Sequence, residues 1–345
     1  MFLFGDTFDH YVTADLSEKY TSVSSSPTIE AGIGDNSTAG LRCGLSTSGV
    51  KKTLSPTDAT SFVVCVHGTR KDAPSLQGYL IYFANTTNNK QMGFGVNLDG
   101  TLFVARGGGT LTDWLHSTVL DNGITALTLD QKYWITFKGV ISATAGSYEL
   151  YLNGVLQCSG SGVNTAGSGV AEWSQVALGN RGCDMDYDTF MVFDQSGAIN
   201  NDIPTKELRG DYRTVTADGN SSDATPSTGT DNFALVDESA PNNDTDYNTL
   251  AAPGSDTFTT QDAVVVGGEI WCYQTVISAK KTDSATCTVA DVVRVGSTDY
   301  TGDDIPVTTS YGYLLTPHDD NPATTDVHIT EAAFNAAEFG YERTA

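Results

Sequence analysis

Ser147-Tyr-Glu-Leu-Tyr-Leu-Asn-Gly-Val-Leu156 is the stretch that decides the fold class. Tyr148, Leu150 and Leu152 alternate with polar neighbours, the period of a strand with one buried face. Asn153-Gly154 is the dipeptide that a two-residue hairpin turn favours, because both positions need left-handed backbone. Val155-Leu-Gln-Cys158 then runs back. Outward from this hairpin the same grammar repeats. Asp99-Gly100 separates Met92–Val96 from Thr101–Ala105, and apolar β-branched runs occur at Ser61–His67 and Tyr79–Ala84. Tyr133–Ile141, Gln175–Gly179 and Tyr187–Phe193 complete the set. Strands spaced about ten to twenty residues apart, with turn residues between, predict a sandwich or barrel. Helical periodicity is confined to Thr330–Glu338.

A chain of 345 residues suggests two domains. The boundary is expected near Leu208, giving a jelly roll over 1–208 and a smaller β-rich domain over 209–345. Beyond that point Thr214–Asp231 and Pro241–Asp246 are polar tracts that flank the apolar Phe233-Ala-Leu-Val236, so the second domain should open with loops. Strands are expected to resume at Ala263–Val266, Glu269–Ile277, Ala285–Val295 and Val307–Leu315, with a hairpin turning near Lys280–Asp283 and a short terminal helix.

Eighteen basic against 42 acidic residues give a formal net charge of −24. Phosphates and anionic lipids repel such a chain, which argues against nucleic-acid and membrane partners. No stretch reaches the roughly 18–20 apolar residues of a membrane span. The start, Met1–His10, has no basic segment and meets Asp6 at once, unlike a signal peptide. Six cysteines, Cys43, Cys65, Cys158, Cys183, Cys272 and Cys287, show no C-x-x-C spacing and read as small buried hydrophobes.

Two resemblances extend this reading. The hairpin Ser147–Leu156, the run Val176–Gly179 and Tyr187–Asp194 resemble the late strands of concanavalin A-like, LamG-type jelly rolls. The whole chain resembles a two-domain type of tailed-bacteriophage structural protein. The residues that carry this are Phe8–Tyr11, Gly210–Arg213, Thr225–Gly229, Leu235–Glu238, Pro241–Tyr247, Gly296–Tyr300 and Thr330–Gly340. The resemblance implies an all-β, non-enzymatic virion component with other virion proteins as partners. It would be a tail fibre or appendage subunit in contact with host-surface glycan, or alternatively a capsid decoration protein. The rivals from other classes are a glycan-binding module and a concanavalin A-fold glycoside hydrolase.

Candidate site residues follow from chemistry. Asp184, Asp186 and Asp188 alternate, so a strand would put three carboxylates on one face, about 6.6 Å apart along it. Retaining glycosidases need carboxyls about 5–5.5 Å apart, and a Glu to serve as acid is missing here, so a solvated face or a calcium site suits the triplet better. No other cofactor is implied. Trp114 and Trp173 stand in loop-like surroundings, where a ring either stacks on a sugar or anchors the loop in the sandwich. Asp218–Asp223 and Asn242–Asp246 read as Asx-turn loops. His10, His67, His116, His318 and His328 show no zinc-protease spacing, and neither a nucleophile elbow nor a phosphate loop is present. From that absence the chain is expected to lack catalytic activity. Self-association, as a trimer, is expected through the low-charge segments Met1–Phe4, Gly160–Val170 and Phe334–Phe339.

Overall fold

Asn153 and Gly154 adopt φ of 51° and 77° and turn the Gly146–Leu152 strand into Val155–Val163, as their chemistry requires. In this computed structural model the described residues are 1–34, 38–44, 47–108, 114–263 and 269–345. They form two units, Met1–Gly210 and Asp211–Ala345.

The first unit is a jelly roll of two antiparallel sheets. The eight-stranded sheet runs Val155–Val163, Gly146–Leu152, Lys132–Val140, Ser61–Arg70, Met185–Phe193, Ala39–Cys43 and Thr28–Ala31, and Phe2–Asp6 pairs with the second half of Met185–Phe193. The seven-stranded sheet runs Thr118–Ala126, Thr101–Arg106, Lys90–Val96, Gly78–Ala84, Gln175–Gly179, Gly49–Thr53 and Ser22–Ser24. Between the sheets lie alternate side chains of each strand. Phe62 stacks on Phe83 at 3.6 Å, Phe137 meets Phe94 at 5.5 Å, and the Tyr187 hydroxyl donates to the Gly179 carbonyl of the opposite sheet at 2.5 Å. Burial of Phe, Tyr, Val and Leu on this inner layer supplies the main stabilisation.

Met1–Phe4, one of the low-charge segments named for self-association, packs its rings within its own unit. Phe2 and Phe4 are buried, Phe2 against Phe193 and Phe4 against Tyr20 and Phe190, because alternate residues of their strand face inward.

The second unit is also β. Its main sheet runs Val215–Ser222, Gly254–Thr260, Glu338–Arg343, Thr288–Val295 and Thr298–Thr301, with Ile305–Pro306 on Thr288–Val295. Buried Asp256 ties its opening loops to this sheet. Oδ1 accepts from the Asp223 and Ala224 amides at 2.7 and 2.8 Å, and Oδ2 from Asn232 Nδ2 and the Tyr341 hydroxyl at 2.9 and 3.2 Å. Three expectations change here. Val215–Ser222 is a strand within a tract read as loop; its solvated face carries Thr216 and Asn220 in place of an apolar row. Tyr273–Ala279 pairs with the distant Gly312–His318, and no hairpin forms at Lys280–Asp283. The terminal helix spans only Glu331–Asn335, capped by the Thr330 hydroxyl, because Glu338–Arg343 is drawn into the sheet. The strand expected at Ala263–Val266 falls outside the described residues after Ala263.

Candidate functional site

The outward face of the eight-stranded sheet carries a polar grid that the ladder register fixes. Tyr133, Ile135 and Phe137 point inward, so Lys132, Trp134, Thr136 and Lys138 point outward. One row crosses five strands through successive cross-strand partners: Thr28, Arg42, Asp186, Thr69 and Lys132. The next row places His67 between Asp188 and Trp134.

Ion pairs lock the grid. Asp186 accepts from Arg42 Nε and Nη2 at 2.8 and 2.9 Å, a two-pronged pair that also draws in Glu30. Lys132 Nζ stands 3.8 Å from Asp188 Oδ2. The segment after Phe193 crosses this face and adds two contacts, Glu207 Oε1 to His67 Nε2 at 3.1 Å and Asp202 Oδ1 to Lys138 Nζ at 2.7 Å. Arg42, Lys71, Lys132, Lys138 and Arg209 are five of the eighteen basic residues, and each lies within 4.0 Å of a carboxylate. The floor is buried: Asp186, Asp188 and His67 are 5%, 3% and 1% exposed. The Asp186 hydrogen bonds push the Arg42 guanidinium further up, whereas burial, then Asp72, raises the Asp184 carboxyl.

Asp186 and Asp188 therefore do share a face, as their alternation predicts. Asp184 precedes the strand, and its amide donates to Asp72 Oδ1. Both Asp186 oxygens are engaged by Arg42, and the described residues contain no group of three side chains suited to a metal ion.

The two tryptophans are anchors. Trp173 is fully buried, donates Nε1 to the Ser61 carbonyl at 2.9 Å and meets the edges of Phe62 and Phe83. Trp114 is 2% exposed and lies over Gly49 and Gly179, where any Cβ would come within 2.6 Å of its ring. With Tyr79, Tyr82 and Phe103 it roofs the outward face of the seven-stranded sheet. Beneath it Lys90 donates to the Leu115 carbonyl at 3.0 Å. Neither tryptophan offers a ring face to a sugar. Tyr151 does lie on the polar grid, beside Thr136 in the ladder, with its hydroxyl on Glu149 at 2.7 Å.

Arg42, Lys132 and Glu207 were not singled out by sequence reasoning, and His67 was read only as a packed or rim residue. The outward set Lys132, Trp134, Thr136 and Lys138, read as alternation, was the available signal.

No protein-family model and no curated protein matches the chain. Among solved structures, endo-β-1,4-glucuronan lyase of the fungus Trichoderma reesei is similar over 50% of this chain and 90% of its own, at 10% identity and a TM-score of 0.38. A mutant of Trypanosoma rangeli sialidase with trans-sialidase activity is similar over 53% of this chain but only 28% of its own, at 11% identity and 0.35. Domain 4 of the Geobacillus stearothermophilus arabinanase AbnA, solved with arabinotriose, is similar over 49% and 76%, at 15% identity and 0.34. The expectation of a chain without catalytic activity is withdrawn. It had rested on the absence of linear motifs and on the phage resemblance, and a face assembled from strands far apart in sequence leaves no such motif.

Proposed function

We propose that the first unit is a carbohydrate-active β-sandwich that holds a glycan across the outward face of its eight-stranded sheet. The observation that carries this reading is the set of part-exposed charge pairs on that face, Arg42 with Glu30, Lys71 with Asp130 and Lys138 with Asp202, held in place by the buried Asp186, Asp188 and His67 beneath them. Sugar hydroxyls both donate and accept, so they suit a surface of fixed carboxylates interleaved with guanidinium and ammonium groups. The pairing leaves the face close to neutral within a chain of charge −24, which favours a neutral glycan over an acidic one. Tyr151 supplies a ring at the edge of the grid.

The resemblance to tailed-phage structural proteins suggests the setting: an appendage subunit that presents this face to host-surface glycan. Purified protein incubated with a panel of neutral and acidic bacterial polysaccharides tests the reading, with bound glycan and released reducing ends measured in the same samples. Retention of neutral glycans that falls in Asp188→Asn supports it. Retention of none, or of acidic glycans alone, overturns it.

A further inference from the structure

A second cluster of titratable groups, separate from the polar grid, lies behind the Phe2–Asp6 strand. The side chains of Asp6 and Lys19 are both wholly buried, with Lys19 Nζ 2.9 Å from Asp6 Oδ1. Oδ1 also accepts from the Phe8 amide at 2.8 Å, and Phe8 takes a left-handed φ of 63° to deliver it. Oδ2 accepts from the hydroxyls of Tyr11 and Tyr20 at 2.7 and 2.6 Å. On its other side Lys19 Nζ lies 2.7 Å from His10 Nε2, and the Tyr11 ring centre is 4.7 Å away.

Two unlike charges sealed in such a pocket each carry a desolvation penalty, which a neutral product would escape. Nucleophile, electrophile, proton carrier and oxyanion donors already stand in contact, so the entropic cost of bringing them together is met by folding. We propose that Lys19 and Asp6 condense into an intramolecular isopeptide bond within the folded first unit.

Atoms and electrons balance without a co-reactant. One ammonium proton of Lys19 passes to Asp6 Oδ1, leaving a neutral amine and a neutral carboxyl. The amine nitrogen attacks Cγ, the N–C bond forms, and the displaced electron pair moves onto Oδ2, where Tyr11 and Tyr20 donate. His10 Nε2 accepts a proton from the new N–C nitrogen and returns it to Oδ1. The Cγ–Oδ1 bond breaks, water leaves, and the Cγ–Oδ2 double bond reforms. The net change is carboxylate plus ammonium to amide plus water. The link joins the first strand to a residue thirteen positions on (19 − 6), which pins the start of the sheet.

Intact mass under denaturing conditions, followed by tryptic digestion, tests this. The first tryptic sites are Lys19 and Arg42. The linked chain is lighter than its sequence by one water and yields Met1–Arg42 as a single peptide, because an acylated Lys19 resists cleavage. Asp6→Ala and Lys19→Arg should show full mass, and His10→Phe a reduced linked fraction. A wild-type chain of full mass that releases Met1–Lys19 overturns the proposal, as does loss of water that persists in Lys19→Arg.

Discussion

Arg42 and Asp186 lie 144 residues apart in sequence and meet as a two-pronged ion pair on the outward face of the eight-stranded sheet, at 2.8 and 2.9 Å. The Asp186 side chain is 6% exposed and Arg42 36%, so one partner is buried and the other partly solvated. Arg42→Ala would leave a buried carboxylate whose remaining ion-pair partner among the described residues is Lys71, at 4.0 Å. Discounting for the exposed guanidinium, the cost should be about 1–3 kcal/mol. For a unit of this size that is a fall in Tm of roughly 2–12 °C. Calorimetric melts of the variant and the parent check it.

Trp173→Ala should cost about 3–5 kcal/mol, since it empties a closed aromatic pocket and orphans the Ser61 carbonyl. Trp173→Phe should cost less while still losing that hydrogen bond. Denaturant melts rank the two variants. Glycan retention by folded Trp173→Phe should equal that of the parent, because the ring never reaches the surface.

Gly154 has φ of +77°, and a Cβ there would meet only the Trp134 ring, at 4.0 Å. The penalty of Gly154→Ala is therefore conformational, about 1–2 kcal/mol. Gly154→Asn should lose less, because Asn tolerates left-handed backbone. Urea midpoints of both variants measure the difference.

In the chain without the Lys19–Asp6 link, burial, then the Lys19 charge, lowers the His10 imidazole to about 3. The unfolded histidine binds its proton near 6.5, so between these values the unfolded state holds more protons than the folded one. Stability should accordingly fall as pH drops from about 6.5 towards about 3, and His10→Phe should flatten that limb. Urea titrations at stepped pH test the slope.

How much of this was legible in the sequence follows from range. Asn153-Gly154 and Asp99-Gly100 specify local hairpins, and alternation around them exposes the buried rows, so the all-β class and most strands of the first unit could be read. Val215–Ser222 escaped because a polar strand with a solvated face has the composition of a loop. The partner of Tyr273–Ala279 escaped because ladder register between distant segments has no local signal. At the site, the shared face of Asp186 and Asp188 was readable from period two. Arg42, His67 and Glu207 arrive from three other parts of the chain, so their convergence was not. Trp114 and Trp173 were placed on loops correctly, but loop residues can fold back into the sandwich, and both do.

Calorimetric titration of the full chain with the best-retained oligosaccharide tests the central claim most directly. Asp188→Asn keeps the shape and the hydrogen bond from the Thr189 amide but removes the charge that faces Lys132. Lys51→Gln alters the opposite sheet, where Lys51 sits beside Ala177. The account predicts affinity at least about tenfold weaker in Asp188→Asn, equivalent to about 1.4 kcal/mol, and unchanged in Lys51→Gln. Equal affinity in Asp188→Asn and the parent, or a loss confined to Lys51→Gln, would contradict it.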